Sequence, residues 1–173
     1  MQKWLTKKSN ILTLMLVAFI VWRQFPIIRK SFQAEGTKLE SRVYPVIYSS
    51  LGVKQVEFPP QNGRAVAIFW ATWCGPCKIE MARLQSSVEN NKIQKAQIIA
   101  VNPFENELII KQFLDTNKFD FTFIHAPDLS NILDVEVTPT TVFIDKNKVS
   151  SMSTGMSFTG ILKVERFLKQ GAE

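Results

Sequence analysis

Trp73-Cys74-Gly75-Pro76-Cys77 is the segment best equipped for chemistry, and it holds both cysteines of the chain. Two intervening residues put the second sulfur one helical turn beyond the first, near enough to close a small ring. At a helix start, unpaired backbone N–H groups and the helix dipole stabilise a thiolate on the first cysteine. In comparable motifs this lowers a thiol pKa from about 8.5 to about 7 or below. The thiolate is the attacking species in thiol–disulfide exchange. Cys74 is thus suited to attack a disulfide, and Cys77 to resolve the mixed disulfide and release the product. Gly75 permits a tight turn, and Pro76 suits an early helical position where an N–H has no partner. Trp73 offers a flat cover on one side of the sulfur.

Three other uses of the pair fit less well. Half a zinc site needs two further ligands, and the chain has no other cysteine and one histidine, His125. A purely structural disulfide over so short a loop removes little chain entropy. A copper-delivery site wants three residues between its cysteines and a partnering histidine. No metal is expected.

The surrounding elements must hold this motif at a helix start. Ala65-Val-Ala-Ile-Phe-Trp70 is a continuous apolar run, as for a strand buried on both faces. A helix is predicted from near Cys74 to about Asn90, with Ile79, Leu84 and Val88 inward. Gln97–Val101 reads as a second buried strand ended by Asn102-Pro103. Residues 106–117 read as a helix with Leu108, Ile109, Phe113 and Leu114 inward. Phe121–His125 is a strand, Ser130–Val135 a short helix and Thr140–Ile144 a strand. Asp145–Lys148 is a turn into a strand over Val149–Ser153. A helix from about Thr159 to Gln170 buries Ile161, Leu162, Val164, Phe167 and Leu168. Upstream, Arg42–Tyr48 and Lys54–Phe58 are short strands joined by turn residues. Strands alternating with helices predict an α/β layered domain.

Charge separates the chain into two parts. Lys3, Lys7, Lys8, Arg23, Arg29 and Lys30 account for the whole net charge of +6, and residues 1–30 contain no acid. The remainder balances 15 basic against 15 acidic residues, which argues against a nucleic-acid partner despite the basic pI of 9.4. Residues 11–22 are an uncharged apolar run behind three lysines, the pattern of an export signal. Continued to Ile28 the run spans roughly 27 Å as a helix, against a bilayer core of about 30 Å. Arg23 can snorkel, and Trp4 and Trp22 suit interfacial belts. The expectation is an uncleaved single-span anchor over residues 11–28, with the body outside the cytoplasm. The alternatives are a cleaved signal, for which Phe32-Gln33-Ala34 is a poor site, and a buried N-terminal helix. No leader cysteine is available for a lipid anchor. The domain reading is 1–30 anchor, 31–42 polar linker and 43–173 catalytic domain.

Phe69-Trp-Ala-Thr-Trp-Cys-Gly-Pro-Cys77 resembles the active-site segment of the thioredoxin superfamily. It is most similar to the membrane-tethered envelope branch of TlpA, ResA, DsbE and ScsD type. The resemblance implies a thioredoxin-like fold with an N-terminal β-hairpin extension and a helix–strand insertion near Asn106–His125, preceded by one transmembrane helix. It implies an extracytoplasmic thiol–disulfide oxidoreductase, on the periplasmic side of the inner membrane. Cys74 would be the nucleophile and Cys77 the resolving thiol, with Trp73, Gly75 and Pro76 shaping the site. Val137-Thr138-Pro139-Thr140-Thr141 resembles the cis-proline loop, so Thr138 and Pro139 would orient an extended substrate. No cofactor is implied, because the dithiol carries the electrons. The partners would be protein thiol or disulfide clients and a membrane electron conduit of DsbD, CcdA or ScsB type. The Gly-Pro pair is that of thioredoxin and points to a reductase; an oxidant of ScsD type and a non-catalytic tethered binding module are the alternatives.

The departures are specific. The buried acid of thioredoxin is replaced by Ile68, so proton handling passes to Glu80, one turn after Cys77, or to water. The expected helix proline is Ala82, which predicts a straighter helix. His125 is expected at the surface, Met152 and Met156 as packing or exposed residues, and Phe104, Phe113, Phe119, Phe121 and Phe123 as packing.

Overall fold

The computed structural model describes residues 11, 13–22 and 35–170. The chain runs β1 (Arg42–Ser49), β2 (Gln55–Phe58), β3 (Arg64–Phe69), α1 (Gly75–Glu89), a 3-10 turn (Lys95–Gln97), β4 (Ile98–Asn102), α2 (Glu107–Thr116), β5 (Thr122–His125), α3 (Pro127–Ile132), β6 (Thr140–Asp145), β7 (Lys148–Thr154) and α4 (Gly160–Lys169). One seven-stranded sheet has the order β2-β1-β5-β4-β3-β6-β7. β3, β4 and β5 are parallel, while β1, β2, β6 and β7 pair antiparallel with their neighbours. This is the thioredoxin-like α/β layout, with the expected hairpin at one edge.

Each face of the sheet carries its own core, because successive strand side chains point opposite ways. Val66 and Ile68 of β3 face a cluster with Trp70, both cysteines, Met81 and Leu84 of α1, Ile110 and Leu114 of α2, and Val164 and Leu168 of α4. Ala67 and Phe69 face the other way, onto Tyr44 and Phe58 of the hairpin and Leu129 of α3. The hairpin is tied down where the Tyr44 hydroxyl donates to Asp128 Oδ2 at 2.8 Å, beside an Arg42–Asp128 ion pair at 3.2 Å. Burial, and then the bond to Asp128, push the Tyr44 phenol up to about 12. The neutral phenol is therefore favoured by folding. Its contribution is complete below pH 10 and disappears as pH rises through about 12. Tyr44→Phe is expected to cost about 1–2 kcal/mol in urea unfolding at neutral pH, with an unchanged slope.

Several helix faces differ from the sequence expectation. Ile79 of α1 is exposed, while Glu80 and Ser87 are buried beside Met81 and Leu84. Leu108 and Ile109 of α2 are exposed, and Ile110 and Leu114 are the inward pair. Leu162 of α4 is exposed as well. In each case the neighbouring strand selects an i, i+4 pair, and apolar residues beside that pair are left outside. α3 starts at Pro127 rather than Ser130, because Pro127 takes the first turn, where a missing N–H costs nothing.

Residues 36–39, within the stretch read as a linker, lie along the edge of β7. Gly36 N–H donates to Val149 O, Leu39 N–H to Asn147 O, and Val149 N–H to Thr37 O. Leu39 is buried in the second core. In the leader, residues 13–22 are helical and exposed. Among the described residues no helix is long and apolar enough to cross a membrane. Residues 1–10, 12 and 23–30 of the expected anchor lie outside the described residues.

Candidate active site

Because β3, β4 and β5 are parallel, their C-terminal ends meet at one end of the sheet. β6 starts at that end, with Thr140 opposite Phe69, and β7 finishes there, with Thr154 opposite Thr140. The loops before Cys74, after Asn102, before Thr140 and after Thr154 therefore gather around one point.

Cys74 caps α1 in extended backbone conformation (φ −82°, ψ 100°), and Pro76 lies in the first turn. Its Sγ accepts the Cys77 N–H at 3.2 Å. The two sulfurs form a disulfide, with Cα atoms 5.3 Å apart. No acid lies in the first turn of α1, so no side chain of that turn offsets the positive end of the helix dipole beside Cys74. Cys74 is 4% exposed, Cys77 is fully buried, and Trp73 next to them is 69% exposed. Gly75 and Pro76 are exposed on the approach side. Of the two cysteines, Cys74 is the more exposed.

The Thr138–Pro139 peptide is cis. Pro139 is buried and Thr138 half-buried. The Pro139 carbonyl accepts the Gly155 N–H at 2.7 Å, and Thr140 Oγ1 donates to Val137 O at 2.7 Å. These bonds pin the loop on both sides of Thr138.

Glu80 is only 8% exposed, not an open helix carboxylate. Its Oε1 accepts the Ser157 N–H at 3.1 Å and pairs with Arg83 at 3.3 Å. With Ile68, Thr141, Ser153 and Ser157 it lines a cavity of about 50 Å³. The site lacks an acid at position 68, since Ile68 is fully buried in the apolar cluster.

Glu105 has no counterpart in the sequence reading. Its carboxylate accepts the Thr72 N–H at 2.6 Å, the Thr72 hydroxyl, and Asn102 Nδ2 at 2.8 Å. Asn102 Oδ1 in turn accepts the Phe104 and Glu105 N–H groups. Burial pushes the Glu105 carboxyl up, but the bonds from Thr72 and Asn102 outweigh it and hold the group below its ordinary value. Glu105 thereby fastens the loop that carries Trp73 and Cys74. Thr72 and Glu105 are 33 residues apart, and no local pattern joins them.

His125 is partly buried rather than at the surface, its Nδ1 2.9 Å from Asn102 O. Phe121 and Phe123 are core, Phe113 and Phe119 pack against it, and Phe104 is exposed. Met152 packs on the second core and Met156 is exposed. Among the described residues no group of three or more His, Cys, Asp or Glu side chains is arranged to hold a metal ion.

A family model for the AhpC/TSA family matches residues 48–151. The chain belongs to this thioredoxin-like family. Among AhpC/TSA relatives, it is 31% identical over 162 residues to the thiol-disulfide oxidoreductase ResA of Geobacillus thermodenitrificans, covering 89% of each chain. It is 35% identical over 97 residues to ResA of Oceanobacillus iheyensis, matching 53% of this chain and 50% of that one. The match thus spans half the length of that relative. The crystal structure of a thiol:disulfide interchange protein from Chlorobium tepidum superposes with a TM-score of 0.63 at 18% identity, over 80% of this chain and 97% of that one. That likeness concerns the fold.

Proposed function

We propose that this chain is a thiol–disulfide oxidoreductase of ResA type that reduces protein disulfides outside the cytoplasm, tethered by its leader. The observation that carries the chemistry is the Cys74–Cys77 pair at the start of α1, with Cys74 Sγ accepting the Cys77 N–H and no acid in the first turn. In the reduced enzyme, the Cys74 thiolate attacks a client disulfide, forming one mixed disulfide and releasing one client thiolate. Cys77 loses its proton, attacks Cys74 Sγ, releases the second client thiol and closes the ring. Two electrons pass to the client. Glu80, one turn beyond Cys77 and buried, is the candidate to take the Cys77 proton, directly or through water. Thr138, held between two pinned residues, would align the client strand.

The reductase direction rests on the Gly-Pro pair between the cysteines. The resting state must then be re-reduced, for which a membrane dithiol conduit of DsbD, CcdA or ScsB type is the proposed source. The leader supports the tether through its basic start and apolar run at residues 11–22. A reporter fused after Glu173 should be active only outside the cytoplasm.

Equilibration with glutathione tests the direction. A potential close to the −270 mV of thioredoxin is expected, and one near −120 mV would make the protein an oxidant. Insulin reduction with dithiothreitol tests catalysis itself: an equal rate for wild type and Cys74→Ser would reduce the chain to a binding module.

A further inference from the structure

β7 finishes at the redox end of the sheet, so its first residues lie at the opposite end. The segment that follows the leader joins the domain there. Gly36 N–H donates to Val149 O, and Leu39 N–H donates to Asn147 O in the turn between β6 and β7. Residues 29–35 separate the expected span from Gly36 and can reach at most about 25 Å. On the tethered reading, the end of the sheet away from the cysteines is thus attached close to the bilayer.

The surface of that end suits lipid. The β1–β2 turn lies there, because Ser49 at the end of β1 pairs with Thr122 at the start of β5. Its tip presents Leu51 at 41% and Val53 at 42% exposure, with Lys54 exposed next to them. Lys95 precedes β4, and Lys146 and Lys148 flank the β6–β7 turn. Lys169 ends α4, whose last turn is tied to the start of β3 by Arg64 Nη1 donating to Phe167 O at 3.0 Å. Among the described residues none of these lysines, nor Lys38, is in an ion pair. The acids of this end are mostly engaged: Asp145 by Arg64, Glu165 by Lys92, Asp115 by Lys118, and Asp120 and Glu89 by Gln85. Glu35 and Glu40 are exposed near the point of entry.

The redox end has the opposite character. Its loops after β3, β4 and β7 and before β6 contain Glu105, Asp134 and Glu136 but no lysine or arginine. An anionic surface therefore attracts one end of the sheet and repels the other. Exposed aliphatic side chains beside lysines also suit the headgroup layer, where the apolar part sinks in and the ammonium stays at the phosphates.

We propose that the end of the sheet opposite the cysteines is a docking face for an anionic phospholipid surface. Leu51 and Val53 dip into the headgroup layer, and Lys38, Lys54, Lys95, Lys146, Lys148 and Lys169 meet lipid phosphates. The Cys74–Cys77 end is then held facing away from the bilayer. The inference rests on the tethered reading and adds an orientation to it.

The test uses the full chain in lipid nanodiscs, read by hydrogen exchange. One set of discs is phosphatidylcholine alone, and the other contains about a third phosphatidylglycerol. Amides of residues 50–54 and 94–97 are expected to exchange about fivefold more slowly on the anionic discs, the scale of one lysine held at such a surface. Salt at about 0.5 M should remove the difference. Amides of residues 134–138, at the redox end, should exchange alike on both. Lys54→Glu combined with Lys148→Glu should bring the ratio at residues 94–97, which neither substitution touches, to within about twofold. Leu51→Ser with Val53→Ser should lower it as well. Unchanged exchange of both variants on phosphatidylcholine discs shows that the fold is kept. Equal exchange of wild type on the two kinds of disc, or slowing at residues 134–138 instead, overturns the lipid face and leaves the tether and the oxidoreductase reading intact. A chain that separates from both kinds of disc on gel filtration overturns the tether and this inference with it.

Discussion

Cys77→Ala will accumulate as mixed disulfides with its clients, whereas wild type will show almost none. The reason lies in the order in which the sulfurs are presented. In the proposed exchange Cys74, at the helix cap and slightly exposed, makes the first attack, while Cys77 is fully buried and bonded to Cys74. Without the second sulfur, the mixed disulfide is released only by an outside thiol. Non-reducing gels and mass spectrometry of the trapped species check this and name the client. Cys74→Ser is the matching control. It is expected to lose insulin reduction by on the order of a thousandfold or more, since an alcohol at neutral pH does not replace the thiolate. It should also form no trapped species. Trapping by Cys74→Ser, or none by Cys77→Ala in cells, would reverse or remove the assigned roles.

Glu105→Ala has the next largest expected effect. It removes the acceptor for the Thr72 N–H, for the Thr72 hydroxyl and for Asn102 Nδ2, leaving donors beside the cysteine loop without their partner. A loss of about 2–4 kcal/mol in stability is expected from urea unfolding. Exchange at Cys74 should slow by about tenfold, because the loop that aims the sulfur is released. Glu105→Gln separates charge from anchoring. The folded carboxyl titrates below its ordinary 4.5, so its contribution is present above that pH and is lost as pH falls through the lowered value. The glutamine variant keeps an acceptor at every pH. Its stability should therefore be lower than wild type at neutral pH, and should fall less on acidification. Acid unfolding curves for the two that run parallel would show that the charge contributes nothing.

The loop at Thr138–Pro139 was implied by the family resemblance, whereas the cysteine pair, the helix it starts and the alternation of strands and helices could all be read from the chain alone. Each is written in neighbouring residues. An apolar run marks a strand buried on both faces, and Gly-Pro after a cysteine marks a helix start. The hairpin of β1 and β2 was legible for the same reason. Which helix faces turn inward was not. Ile79 and Leu108 match the apolar spacing of a buried face and are exposed, because the sheet beneath α1 and α2 determines the stripe that is covered. His125 gave no sign of its bond to Asn102, which depends on β4 and β5 lying side by side.

What the sequence determined by itself, then, is the cysteine pair and the helix start that frames it. The tertiary structure alone decided what holds that frame: Glu105 on Thr72 across 33 residues, and Glu80 on Ser157 across 77. The physical reason is that parallel strands joined through helices bring the ends of distant segments to one end of the sheet. Hydrogen bonds formed there depend on strand order, which no spacing within a single element records.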